Sequence, residues 1–167
     1  MRRKSVKDEF MILNRTEDLS SMREFVERTL TKARLNETDR QHIVLAVDEA
    51  VSNIIRHAYE DFARGTRTVQ VQVHADPEKV EVVLTDSGRG FDPGSVPSPC
   101  IEDHIRLGRR FGLGLFLMRR VMDEVKYIFR SGAENTLTMV KYVEQTGREK
   151  LGGSRGGENG RSKTQKA

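Results

Sequence analysis

Tryptophan is absent from the 167 residues, and cysteine occurs once, at Cys100. A single cysteine excludes an internal disulfide and a multi-cysteine metal site, and it fits a reducing cytoplasm. Long apolar runs are missing as well. The longest, Phe111 to Met118, has eight residues and includes two glycines, whereas a helix that crosses a bilayer needs about 20 apolar residues. A helical membrane span is therefore not expected. The opening residues MRRKSVKDEF carry no apolar stretch behind their basic side chains, so a secretory signal is not expected either. No internal repeat is visible. The length suits one domain of ordinary size.

The body of the chain also lacks a charge of one sign. The net charge of +4 comes from 29 basic and 25 acidic residues. Residues 146–167 hold six of the basic and two of the acidic groups, so residues 1–145 are balanced at 23 each. The last segment has six glycines, one leucine and no aromatic residue. It cannot bury enough apolar surface to offset its ordering entropy. We read residues 1–145 as one domain and 146–167 as a disordered, basic, Gly-rich tail. A solubilising role is the simpler reading of that tail, and a weak electrostatic arm the sharper one.

The hydropathy pattern alternates between two periods. Ser5 to Leu13 reads as a first strand. Helical spacing follows at Met22, Phe25, Val26, Leu30 and Ala33. Asn36 to Asp39 breaks that helix, and Thr38 with Gln41 forms a capping-box pattern for a second helix running to about Tyr59. Val69, Val71 and Val73 alternate with polar residues. Asp76-Pro77 turns the chain, and Val80, Val82 and Leu84 alternate again, as in a hairpin. Residues 86–112 hold three of the four prolines and most of the body's glycines, the pattern of a long functional loop. A short helix is predicted from about Leu113 to Asp123. Strands at Val125 to Arg130 and Thr136 to Val143 follow, joined at Ser131-Gly132. This order predicts an α/β two-layer sandwich, a mixed, mainly antiparallel sheet with helices on one face.

Three stretches carry chemistry. On the second helix Glu49, Asn53 and His57 are spaced by four and share an edge beside the apolar arc. A carboxamide oxygen there can ligate Mg²⁺, and a carboxylate can take a proton from a hydroxyl or orient a water. Ordinary boundary residues would show the same spacing. At the end of a predicted strand, Asp86-Ser-Gly-Arg-Gly-Phe-Asp92 offers an acceptor for an exocyclic amine, with Gly88 and Gly90 allowing close backbone approach. A common glycine-rich turn would look alike. Finally, Gly108-Arg-Arg-Phe-Gly112-Leu-Gly114 leads into the short helix. Exposed N–H groups, the helix dipole and Arg109 and Arg110 favour an anion there. The run matches neither a Walker nor a Rossmann pattern.

Taken in order, the set resembles the ATP-binding fold shared by DNA gyrase, the Hsp90 chaperone, histidine kinases and MutL. Within it, the chain is most similar to the bacterial anti-sigma factor serine-protein kinases. Val47 to Tyr59 resembles their N-box, and the likeness covers about residues 5–143. The resemblance implies an ATP-binding anti-sigma factor of the cytoplasm. Such a protein phosphorylates a serine of an anti-anti-sigma antagonist, sequesters a sigma factor and forms a homodimer, with no direct specific binding to nucleic acid. It implies Asn53 as the Mg²⁺ ligand, Glu49 as general base, Asp86 as acceptor of the adenine amine, and Gly88 and Gly90 beside the base. Gly112 and Gly114 would contact phosphates, Arg110 or its neighbour Arg109 would reach the γ-phosphate, and Thr136 or Thr138 would lie near the adenine. Residues 93–111 would form the ATP lid. The other reading is a non-catalytic ATP-binding or partner-switching module.

Overall fold

The computed structural model describes residues 4–90, 114–130 and 133–143. The expected lid, with Arg109, Arg110 and Gly112, the expected tail, and Cys100 lie outside the described residues. Strand β1 (Val6–Leu13) leads through a short 3₁₀ turn into helix α1 (Leu19–Lys32). Helix α2 (Glu37–Asn53) follows, extended by one π-helical turn, Ile54–Ala58. Then come β2 (Thr68–Ala75), β3 (Lys79–Asp86), α3 (Gly114–Val121), β4 (Glu124–Ile128) and β5 (Asn135–Tyr142). The sheet order is β1-β2-β3-β5-β4, and all four pairings are antiparallel.

Strict alternation explains the layering. Val69, Val71 and Val73 of β2 and Val80, Val82 and Leu84 of β3 are fully buried toward the helices, each contributing about 1.5–3 kcal/mol of apolar burial. Met22, Val26 and Leu30 of α1 and Ile43, Val47 and Val51 of α2 close the other side of that core. Phe10 of β1 stacks on Phe25 of α1, with ring centroids 5.1 Å apart. The opposite sheet face is mostly polar: Gln70 and Gln72 reach Glu9 across β1 and β2.

Two local expectations change. The cap of α2 is Asn36, not Thr38. Asn36 is extended, and its Oδ1 accepts from the Asp39 N–H at 2.8 Å, which satisfies one of the orphan donors of the first turn. Thr38 lies inside the helix, and Gln41 turns to Glu37 at 3.1 Å. The α-helix also stops at Asn53 instead of reaching Tyr59. The Tyr59 N–H bonds to the Ile54 carbonyl at 3.1 Å, one residue further back than an α-helical bond. The re-phased turn buries Ile54, Ala58 and Tyr59 together and leaves His57 exposed. The expected turn at Asp76 is present: its Oδ1 accepts from the N–H groups of Glu78 and Lys79, both at 2.8 Å.

Candidate functional site

Two clusters lie at the helix-covered face of the sheet, one on α2 and one at the ends of β3 and β5. On α2, Glu49 and Asn53 sit one turn apart and half-buried. Helix α3 begins directly against them. A methyl group placed on Gly114 would lie 2.5 Å from Glu49 Oε2 and 3.2 Å from Asn53 Nδ2. One carbon atom would therefore touch both head groups, and only glycine lets the start of α3 approach so closely. The structure thus brings together three of the residues singled out from sequence: Glu49, Asn53 and Gly114.

The second cluster is built on a cross-strand pair. Asp86 ends β3 opposite Asn135, which opens β5. Both are buried, at 4% and 1% exposure. Asp86 Oδ1 accepts from the Gly88 N–H at 2.8 Å and from Asn135 Nδ2 at 3.0 Å. The same Asn135 nitrogen donates to the Gly88 carbonyl at 3.1 Å. Among the described residues both donors use Oδ1, which leaves Oδ2 as the oxygen that faces a ligand. Burial pushes the Asp86 carboxyl above its ordinary value, and the bonds from Asn135 and Gly88 oppose that only in part. A buried carboxylate favours a ligand that brings an N–H.

Gly88 and Gly90 serve different ends. A methyl on Gly88 would meet the Ala58 carbonyl oxygen at 2.5 Å and the Ala58 Cβ at 2.8 Å, so Gly88 is glycine because it packs on the end of the π turn. Gly90 lies beside Phe129 and Asn135, with its nearest would-be contact at 3.4 Å. Phe129 is 45% exposed and stands 6.0 Å from the Tyr127 ring. Tyr127 is pushed up to about 12, first by burial and then by the charge of Asp86. Tyr127 thus lies within reach of the Asp86 charge, and Phe129 stands between Tyr127 and Gly90.

Thr136 is not brought to this cluster. It pairs with Thr85 across β3 and with Ile128 across β4. Alternation places it, and likewise Thr138, on the sheet face opposite Asp86. The β5 residue that reaches Asp86 is Asn135. The signal for it was present in the sequence: Leu137 and Met139 face the core, so Asn135 shares their parity and Thr136 does not. Among the described residues no group of three or more His, Cys, Asp or Glu side chains could hold a metal ion by itself.

Comparison with known proteins agrees with this fold. The family model described as the histidine kinase-like ATPase domain matches residues 12–141. The chain is 29% identical over 133 residues to the serine-protein kinase RsbW of Staphylococcus aureus strain MRSA252, covering 77% of this chain and 82% of that protein. The same protein of strain Newman matches to the same extent. Among solved structures, the SiaB–SiaC complex of Pseudomonas aeruginosa superposes with a TM-score of 0.58 at 12% identity, over 78% of this chain and 88% of that one. The RsbU and RsbW domains of Rv1364c from Mycobacterium tuberculosis give 0.56 at 16% identity, over 81% of this chain and 32% of that longer one. Both likenesses concern the fold. With a family model that matches residues 12–141, most of the body, the chain belongs to the histidine kinase-like ATPase domain family.

Proposed function

We propose that this protein is an ATP-dependent serine-protein kinase of the cytoplasm that also sequesters a sigma factor. Its protein substrate is a serine of the antagonist that releases that sigma factor, and it acts as a homodimer. The observation that carries this reading is the approach of the Gly114 backbone to Glu49 and Asn53, so close that a methyl there would meet both, because it sets a candidate base and a candidate metal ligand at the start of one helix. The serine-protein kinase names of the curated relatives support the reaction class.

Asp86 Oδ2 accepts the adenine amine, with Asn135 and Gly88 holding the carboxylate in place. Tyr127 and Phe129 flank the base. The phosphates reach toward α3, where Gly114 lets the backbone approach. Arg110 and Gly112 are assigned to the phosphates by the family resemblance. Asn53 would hold Mg²⁺, which when bound neutralises phosphate charge. Glu49 takes the proton from the serine hydroxyl. The serine oxygen bonds to the γ-phosphorus, the bond from that phosphorus to the bridging oxygen breaks, and ADP leaves. Phosphoryl transfer depends mainly on positioning and charge stabilisation, and each group named does one of the two.

The test is to incubate the protein with ATP labelled at the γ-phosphate and the proteins that co-purify with it. Label is expected on a serine of a small partner, identified by mass spectrometry. ATP binding with no transfer to any partner would make the protein a non-catalytic partner-switching module.

A further inference from the structure

The segment between the two clusters is joined to the adenine loop by contacts that neither cluster requires. Tyr59, which closes the π turn, is 2% exposed. Its hydroxyl donates to the Thr68 carbonyl at 2.7 Å and accepts from the Ser87 N–H at 3.0 Å. One residue earlier, the Ala58 carbonyl accepts from the Arg89 N–H at 2.8 Å. Between those two bonds Gly88 lies against Ala58 with no room for a side chain. Phe62 meets the Tyr59 ring edge-on at 5.7 Å, so the ring is held as well as the hydroxyl. Residues 87, 88 and 89 are thus seated one after another on residues 58 and 59. The seat begins five residues after Asn53, and the seated loop begins one residue after Asp86.

We infer that Tyr59 is a positioning residue for nucleotide recognition: with the Ala58 carbonyl, it docks the Ser87–Arg89 backbone on the end of the N-box helix and so fixes Asp86 relative to Glu49 and Asn53. The π turn gives this a local cause. An extra residue per turn brings both the Ala58 carbonyl and the Tyr59 ring to the loop, and π turns recur at sites where such re-aiming is needed. The phenol suits the task because one hydroxyl can donate and accept at once. Burial holds it above its ordinary value, against the Ser87 bonds, so it keeps the proton it donates. The Gly88 N–H that bonds to Asp86 belongs to the docked loop, so loosening the dock loosens a donor to the carboxylate. The inference rests on Asp86 as the adenine acceptor.

A double-mutant cycle on the full chain tests it. Tyr59→Phe removes only the hydroxyl. It is expected to weaken ATP binding about tenfold by calorimetry and to narrow the gap between ATP and GTP. In the Asp86→Asn background the same change is expected to cost less than about twofold, because the group it positions is gone. Equal losses in both backgrounds would overturn the inference and leave Tyr59 a purely structural residue. If Asp86→Asn alone leaves ATP affinity unchanged, the adenine assignment fails and the inference falls with it. If Tyr59→Phe does not fold, hydrogen exchange on the parent decides. The Ser87 and Arg89 amides should slow at least tenfold further when ATP is added, and in Asp86→Asn they should not respond. No response in the parent would overturn the proposal.

Discussion

Asn135 donates its carboxamide N–H to Asp86 at 3.0 Å across the β3–β5 pair. Thr136, the next residue, faces the other side of the sheet. Replacing each by alanine should therefore separate them. Asn135→Ala leaves a buried carboxylate with one donor fewer, which costs about 1–3 kcal/mol, and it should weaken ATP binding. Thr136→Ala should leave ATP affinity within about twofold of the parent. Calorimetry and chemical denaturation on both variants check this.

Asp86→Asn should act in opposite directions on stability and on binding. The new carboxamide oxygen can still accept from Gly88 and Asn135, so the apo fold keeps those bonds. The Asp86 carboxyl titrates above its ordinary 3.8 in the folded protein, so the folded state holds its proton more tightly than the unfolded chain does. Ionised Asp86 therefore lowers stability as pH rises from about 4 through the folded value, and the deficit is complete above it. The variant should melt at or above the parent temperature at neutral pH, and this advantage should vanish below pH 4. ATP should bind the variant poorly, because an amide N–H then faces the adenine amine. In the parent, ATP affinity should fall as pH drops through the Asp86 value, since the amine favours the carboxylate form.

Gly114→Ala isolates the approach of α3 to α2. Alanine favours a helix over glycine by about 1 kcal/mol, yet its methyl would sit 2.5 Å from Glu49 Oε2. That oxygen is the far end of a flexible side chain and can move aside. Stability should change by less than about 1 kcal/mol, while phosphoryl transfer falls by about tenfold or more because the base is displaced. Thermal melts alongside a transfer assay measure both.

The two candidate caps of α2 can be compared directly. Asn36→Ala should cost about 1 kcal/mol by urea denaturation, the usual value of a lost N-cap bond. Thr38→Ala should cost less than about 0.5 kcal/mol.

Most of this fold was legible because its strands are half-buried and its first two helices amphipathic. Val69, Val71, Val73, Val80, Val82 and Leu84 announced their faces by alternation alone. The shared helix edge of Glu49 and Asn53 was legible from their spacing and the strand-end place of Asp86 from alternation, but their roles were implied only by the family resemblance. Three features were not. The pairing of β3 with β5 is a long-range choice, so the Asp86–Asn135 contact could not be read from either strand alone. The π turn after Asn53 is a local re-phasing of the helix, closed by the Tyr59 N–H bond to the Ile54 carbonyl, and no residue type specifies it. The reason Gly88 is glycine lies in Ala58, which is 30 residues earlier in the chain and adjacent only after folding.

The central claim is that Glu49, set beside Asn53 and Gly114, acts as the base for transfer to a serine. Single-turnover transfer by Glu49→Gln tests it most directly, because glutamine keeps the shape and loses the proton acceptor. ATP affinity should stay within about twofold of the parent while the transfer rate falls by about 10²-fold or more. A Glu49→Gln protein that binds ATP and transfers phosphate at the parent rate would contradict the account.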